Sequence, residues 1–415
     1  MNTILFGAGA SIPFFKVPLT TGYITNKILD IDNWQNTINK LNSVNHNNYQ
    51  LIELSEISPV FNQFNLLRSK RVNLNFEDIA EVIDKISSYG YDSLPKSNIF
   101  NVIQFLFQPK ILLSNRWNHV PFLLREIIAN VILDFHKNNC VKNYDELIIL
   151  QKKFIQTVGE NEISVVSLNY DDNVPTSVDA LGNICYHFTD STNRHENMLN
   201  VKEFLLSNRV AYFPHGHLRF VFTDELNVSY VRDIEQAENL RWNGLFNRGG
   251  IDIINGPFSY DFNTFITTGK TKDNSFNNLP FSVYYQRLAL DFLHSTNIYI
   301  VGYSFNDAHI NRLLKGFLNI NMKNKVYIID KYDSAITMVD EYKDNSNLIT
   351  KIQETFRPNW NIIVDSVNSK KMPYDQNEVD NVNTVGYGKI FDRIVFYKKG
   401  YCMFLNEFRQ VLSKY

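Results

Sequence analysis

Five short, nearly unbroken apolar runs, at residues 3–6, 163–168, 210–213, 298–301 and 326–329, constrain this chain more than any other feature. They are dominated by Val, Ile, Phe and Tyr and lack the apolar-polar alternation of a half-exposed strand. Runs of this kind describe strands covered on both faces, as in parallel sheets with helices above and below. From about Asp30 to about Gln156 the pattern changes to apolar residues three and four apart, as in Phe76, Ile79, Ala80, Ile83 and Ile86, which is helical spacing. A mostly parallel α/β sheet with a helical insertion over about residues 30–156 follows. After Asp330 the pattern predicts a helix at 333–344, a strand at 360–364, a polar loop near 368–383 and an amphipathic closing helix at 403–414. These would form a small C-terminal α/β addition over 331–415, beside a main domain over 1–330.

The residues that follow the runs are the ones with chemistry. They are Gly7-Ala8-Gly9-Ala10-Ser11, Ser167-Leu168-Asn169-Tyr170-Asp171, Pro214-His215-Gly216-His217, and Gly302-Tyr303-Ser304-Phe305-Asn306-Asp307. In open α/β sheets ligands sit beyond the carboxyl ends of the strands, so the four pieces fit together as one nucleotide site in a Rossmann-like fold. Glycines at 7 and 9 allow a tight turn whose backbone approaches a diphosphate, or mark an ordinary tight turn. The dinucleotide fingerprint would require a third glycine where this chain has Ile12, and an acidic residue at the end of a second strand. Asp30 has the spacing, but its surroundings read as helical. Asn169 and Asp171 fall on one side of an extended backbone, suited to ribose or a bound water, or to turn formation and helix capping. His215, beside Gly216, is a candidate proton acceptor or a satisfied core histidine, and His217 shares its face or acts as a structural donor. Ser304 can donate to phosphate or ribose, Asp307 can cap the next helix, and Asp330 at the end of the fifth run suits an adenosine ribose or another cap.

Composition narrows the function classes. Lys plus Arg (41) nearly balance Asp plus Glu (43) for a net charge of -2, so no phosphate-backbone binder is indicated and direct nucleic-acid binding is not expected. The three cysteines, Cys140, Cys185 and Cys402, are far apart and form no pair motif, as in a reducing cytoplasm. No stretch approaches the roughly 18 apolar residues of a membrane span. A cytoplasmic location is the expectation, without membrane contact.

Read in order, the four pieces resemble the sirtuin-like NAD-binding domain, whose pattern is Gly-Ala-Gly-x-Ser, then Asn-x-Asp, then His-Gly, then Gly-x-Ser. The resemblance covers about residues 1–330 without the insertion. Two departures separate the chain from sirtuin protein deacylases. Their four-cysteine zinc module cannot be built where only Cys185 lies between Asn169 and Gly302, and their proline-aspartate-phenylalanine-arginine stretch is replaced by Ile12-Pro13-Phe14-Phe15. The ending Gly302-Tyr303-Ser304-Phe305-Asn306-Asp307 is similar instead to the sirtuin-like NAD hydrolases of bacterial antiphage defence.

That resemblance implies NAD as substrate, no metal, and cleavage of the nicotinamide–ribose bond to nicotinamide and ADP-ribose. It further implies Asn169 orienting water or ribose, His215 accepting the proton and Asp171 supporting both. Gly7, Ala8, Gly9, Ser11, Gly302, Ser304 and Asp330 would hold the rest of NAD. It also implies a homo-oligomer that acts with a HerA-type hexameric ATPase. A nucleotide sensor or scaffold without turnover and an NAD-dependent deacylase are the competing readings.

Overall fold

The computed structural model describes residues 1–44, 53–70, 74–88, 120–188, 199–222, 228–231, 234–237, 279–331, 351–352, 355–356, 382, 384–391 and 393–415. Five strands occupy the five apolar runs: β1 (Asn2–Phe6), β2 (Ile163–Ser167), β3 (Arg209–Tyr212), then, after the hairpin of β4 (Phe220–Phe222) and β5 (Val228–Tyr230), β6 (Asn297–Val301) and β7 (Lys325–Ile329). With β8 (Tyr387–Phe391) and β9 (Ile394–Tyr397) they make a seven-stranded sheet in the order β3-β2-β1-β6-β7-β9-β8. All pairs in it are parallel except the edge pair β8–β9. From β1 the chain steps outward twice to one side, then returns and steps outward to the other, as in Rossmann-like doubly wound folds. The reversal lies between β1 and β6, paired from Asn2↔Asn297 to Phe6↔Val301.

Helices cover both faces, which is why the strands read as unbroken apolar text. On one face, Phe154 of the helix Tyr144–Val158 packs edge-on against Tyr299 of β6 and against Tyr401, Phe404 and Phe408 of the closing helix Tyr401–Lys414. Gln151 Oε1 accepts from the Tyr401 hydroxyl at 3.1 Å between them. On the other face, the helix Phe281–His294 buries Arg287 and Asp291, and Tyr212 of β3 donates to Asp291 at 2.6 Å. The Arg287 guanidinium also caps the carbonyls of Phe204, Leu205 and Ser207, which ties the helix Val201–Leu206 to this face.

The insertion is helical in every described segment, with helices Ile31–Val44, Leu54–Ser69, Phe76–Ser88 and Val120–Asn139 between β1 and the helix Tyr144–Val158. Its core holds the fully buried Trp34, whose indole donates to Ile28 O at 2.7 Å and whose ring lies 4.5 Å from Phe61. It is fastened to the turn after β1 by Lys16 N→Asn139 O at 2.8 Å and Val141 N→Phe14 O at 3.1 Å. The insertion therefore stands at the carboxyl edge of the sheet. The segments at 333–344 and 360–364 lie outside the described residues. The strands β8 and β9 were not anticipated; they place the C-terminal stretch in the same sheet, with β9 parallel to β7 from Val326↔Ile394 to Ile329↔Tyr397. Among the described residues no helix is long and apolar enough to cross a membrane.

Candidate functional site

Five strands, β3, β2, β1, β6 and β7, deliver His215, Asn169, Gly7, Gly302 and Asp330 to the same edge of the sheet, around the reversal between β1 and β6. The glycines there serve a close approach of two loops. Gly7 N donates to Val301 O and Gly9 N to Gly302 O, each at 2.8 Å, and Ala10 N turns back to Gly7 O at 2.9 Å. A Cβ on Gly7 would lie 2.7 Å from Gly302 O, and one on Gly9 2.8 Å from Gly302 Cα. Gly302 itself has φ +59, and a Cβ there would lie 2.1 Å from Ala10 N. The amides of Gly7, Gly9 and Ala10 are therefore engaged within the protein, and the exposed residue on the crest is Ala8. The turn continues as the 3₁₀ helix Ala8–Phe14, a tighter element than an α-helix. Thr20 caps the following helix, Thr21–Ile28, by accepting from Tyr23 N at 3.1 Å.

Asn169, Ser11 and Asp171 form one buried lock. Asn169 Nδ2 donates to Gly7 O at 2.9 Å and to Ser11 Oγ at 2.8 Å, and Ser11 Oγ donates to Asp171 Oδ2 at 2.5 Å. The other oxygen of Asp171 accepts from Asn173 N at 3.1 Å, at the start of the helix Asn173–Asp179. Burial pushes the Asp171 carboxyl up; the Ser11 hydroxyl, the Asn173 amide and the nearby His136 of the insertion pull it back. Both amide hydrogens of Asn169 are thus spent on the loop after β1, and what its side chain presents to a ligand is Oδ1, an acceptor for a ribose hydroxyl or a water. Ser11 sits inside this lock, only 5% exposed.

The two histidines have different surroundings. His217 is fully buried: its Nδ1 accepts from Arg219 N at 3.1 Å, which leaves the proton on Nε2 for Asp171 O at 2.8 Å. It is a structural link between the β3 and β2 loops. His215, 7% exposed and followed by Gly216 at φ +85, places Nε2 2.9 Å from Asp307 Oδ2. The other oxygen, Asp307 Oδ1, accepts from His309 N at 2.9 Å and Ile310 N at 3.2 Å and caps the helix Ala308–Leu314. The capping expected of Asp307 is thus observed. Its contact with His215 had no signal in the sequence, because the cap already accounted for the residue.

Arg219 is a residue that sequence reasoning missed. Its guanidinium meets Asp172 through Nε at 2.5 Å and Nη2 at 2.6 Å, and also reaches Asp179 and the Tyr230 hydroxyl. Burial opposes its charge and the Asp172 carboxylate outweighs that, so the group stays cationic. The clamp joins the loops after β2 and β3 to the β4–β5 hairpin.

Beyond β6, Ser304 is exposed and Phe305 has φ +55, a strained value for a residue with a Cβ. Lys351 Nζ donates to Asn306 Oδ1 at 2.6 Å, and Phe356 lies 6.2 Å from the Phe305 ring. Asp330 follows β7, next to Gly302 across the sheet; Lys331 N donates to its Oδ1 at 2.7 Å, yet burial pushes its carboxyl up to about 6. All three cysteines are free thiols, and among the described residues no group of three or more His, Cys, Asp or Glu is arranged to hold a metal ion.

No protein-family model matches the chain, and no curated protein is similar to it.

Proposed function

We propose that this protein is an NAD+ hydrolase that cleaves the nicotinamide–ribose bond to give nicotinamide and ADP-ribose. The observation that carries the reading is the convergence of a nearly buried, carboxylate-backed His215 and the Asn169 acceptor at the carboxyl edge flanking the β1/β6 reversal. That is where doubly wound sheets bind nucleotides. The pyridinium is already a good leaving group, so the chemistry asks mainly for positioning, exclusion of bulk solvent and a presented water. Asn169 Oδ1 holds the water or a ribose hydroxyl, and His215 takes the proton released as water adds to the ribose carbon. The Ser11–Asp171 pair keeps Asn169 in place. Asp330, beside Gly302, suits the adenosine ribose, and the exposed Ala8 and Ser304 border the phosphates. Assembly into a homo-oligomer, action with a HerA-type ATPase and a role in antiphage defence belong to the same proposal on the sequence resemblance alone.

The test is NAD turnover by the purified chain without any peptide, read by chromatography of nicotinamide and ADP-ribose. Loss of one positioned acid/base group costs about 100- to 10,000-fold in rate. His215→Ala and Asn169→Ala are expected to fall in that range; activity of either within a few-fold of wild type refutes the assignments. NAD loss that requires an acylated peptide means a deacylase, and saturable ADP-ribose binding without turnover means a sensor.

A further inference from the structure

We propose that Asp307 is the positioning residue of His215: by taking the proton on Nε2 it makes Nδ1 the nitrogen that carries the lone pair. The inference rests on the hydrolase reading for its catalytic consequence, but not for its structural content. His215 belongs to the loop after β3, and Asp307 to the loop after β6. Two strands lie between them, so their backbones start three strand spacings apart, about 14 Å. Contact across that span requires both loops to lean over the reversal point. Helix capping does not ask for it, because capping uses Oδ1 alone.

The division of labour between the two oxygens makes the arrangement rigid. Oδ1 is pinned by two amides of the helix Ala308–Leu314, which fixes the plane of the carboxylate and points Oδ2 at Nε2, 2.9 Å away. A carboxylate accepts only, so the imidazole must carry its proton on Nε2. His217 shows the converse case two residues on, its protonation fixed by the Arg219 amide instead. During hydrolysis the water oxygen bonds to the ribose carbon as the carbon–nitrogen bond breaks. The bonding pair leaves on the pyridinium nitrogen, giving neutral nicotinamide, and the water proton goes to Nδ1. Asp307 then faces the imidazolium until that proton passes to solvent. Among the described residues, Tyr170 and Tyr303 also feel the Asp307 charge.

Asp307→Asn and Asp307→Ser test this, because both retain a strong helix N-cap. The full chain with nitrogen-15 histidine is observed by long-range imidazole NMR above pH 8, with the His215 signals assigned by their loss in His215→Gln. In wild type the neutral ring should carry its proton on Nε2. In Asp307→Asn the new amide donates to Nε2 and the proton should move to Nδ1; an unchanged tautomer overturns the proposal whether or not the chain turns over NAD. In turnover, kcat of Asp307→Asn should drop about 100- to 10,000-fold with KM within about threefold, as expected when a carboxylate-to-amide exchange inverts a catalytic tautomer. Asp307→Ser, which cannot force the wrong tautomer, should retain more activity than Asp307→Asn. The reverse ranking, at equal melting temperatures, also overturns the proposal. Absence of wild-type turnover alongside the tautomer switch would refute the hydrolase reading and leave Asp307's positioning of His215 standing.

Discussion

Gly302→Ala should destabilise the protein far more than Gly316→Ala, although both glycines have positive φ, +59 and +89. The left-handed conformation costs a residue with a Cβ about 1–2 kcal/mol at either position. At Gly316 nothing lies within 4 Å of the added carbon, so that is the whole effect. At Gly302 the carbon would sit 2.1 Å from Ala10 N and 2.3 Å from Gly9 C, where ordinary contact begins at 3.4 Å. The neighbours are backbone, so the two loops must part by the difference, 3.4 − 2.1 = 1.3 Å. That stretches the 2.8 Å bond from Gly9 N to Gly302 O beyond hydrogen-bonding distance. Each of the two groups left unpaired costs about 1–3 kcal/mol, so with the dihedral the total is about 3–8 kcal/mol. Against a total stability of about 5–15 kcal/mol the loss is large. Urea titrations followed by far-ultraviolet circular dichroism would measure both variants against wild type. Destabilisation of the two variants by amounts within about 0.5 kcal/mol would refute the claim that close loop contact, and not the dihedral alone, demands glycine at 302.

Two further predictions concern charge. The Asp330 carboxyl titrates near 6 in the folded chain against an ordinary 3.8, so its contribution to stability is full below 3.8 and lost as pH rises through 6. The gap of roughly two pH units corresponds to about 3 kcal/mol, so Asp330→Asn should gain on wild type by up to that amount between pH 4 and pH 7 in denaturant titrations; a pH-independent difference would contradict it. If Asp330 accepts the adenosine ribose, ADP-ribose binding measured by calorimetry should tighten through pH 6 in wild type and not in the variant. Arg219→Met should cost about 3–5 kcal/mol by leaving Asp172 buried without its partner, and adding Asp172→Asn should restore part of the loss. A double variant less stable than the single one by thermal denaturation would show that the clamp is not the cause.

The strands were legible because burial on both faces writes itself into the sequence as unbroken apolar text. The residues after them were legible because a polar residue or glycine just past such a run stands out. β8 and β9 were not, since one is an edge strand beginning Tyr387-Gly388-Lys389 and the other follows Arg393 with only four residues. Their place in the sheet comes from pairing with β7, a contact between residues far apart in the chain.

By itself, then, the sequence determined the local elements and the kinds of side chain at the strand ends, because covalent order and solvent exposure set both. Only the tertiary structure decided which strands are neighbours, and with that the work those side chains do. The glycines at 7 and 9 read as room for a diphosphate or as an ordinary tight turn, and the fold uses them, with Gly302, to bring two loops into contact. Asp307 reads as a helix cap, and the fold gives its second oxygen to His215. In each case a local signal was satisfied by a local role, and the second role arises from approach across the sheet, which no pattern along one chain encodes.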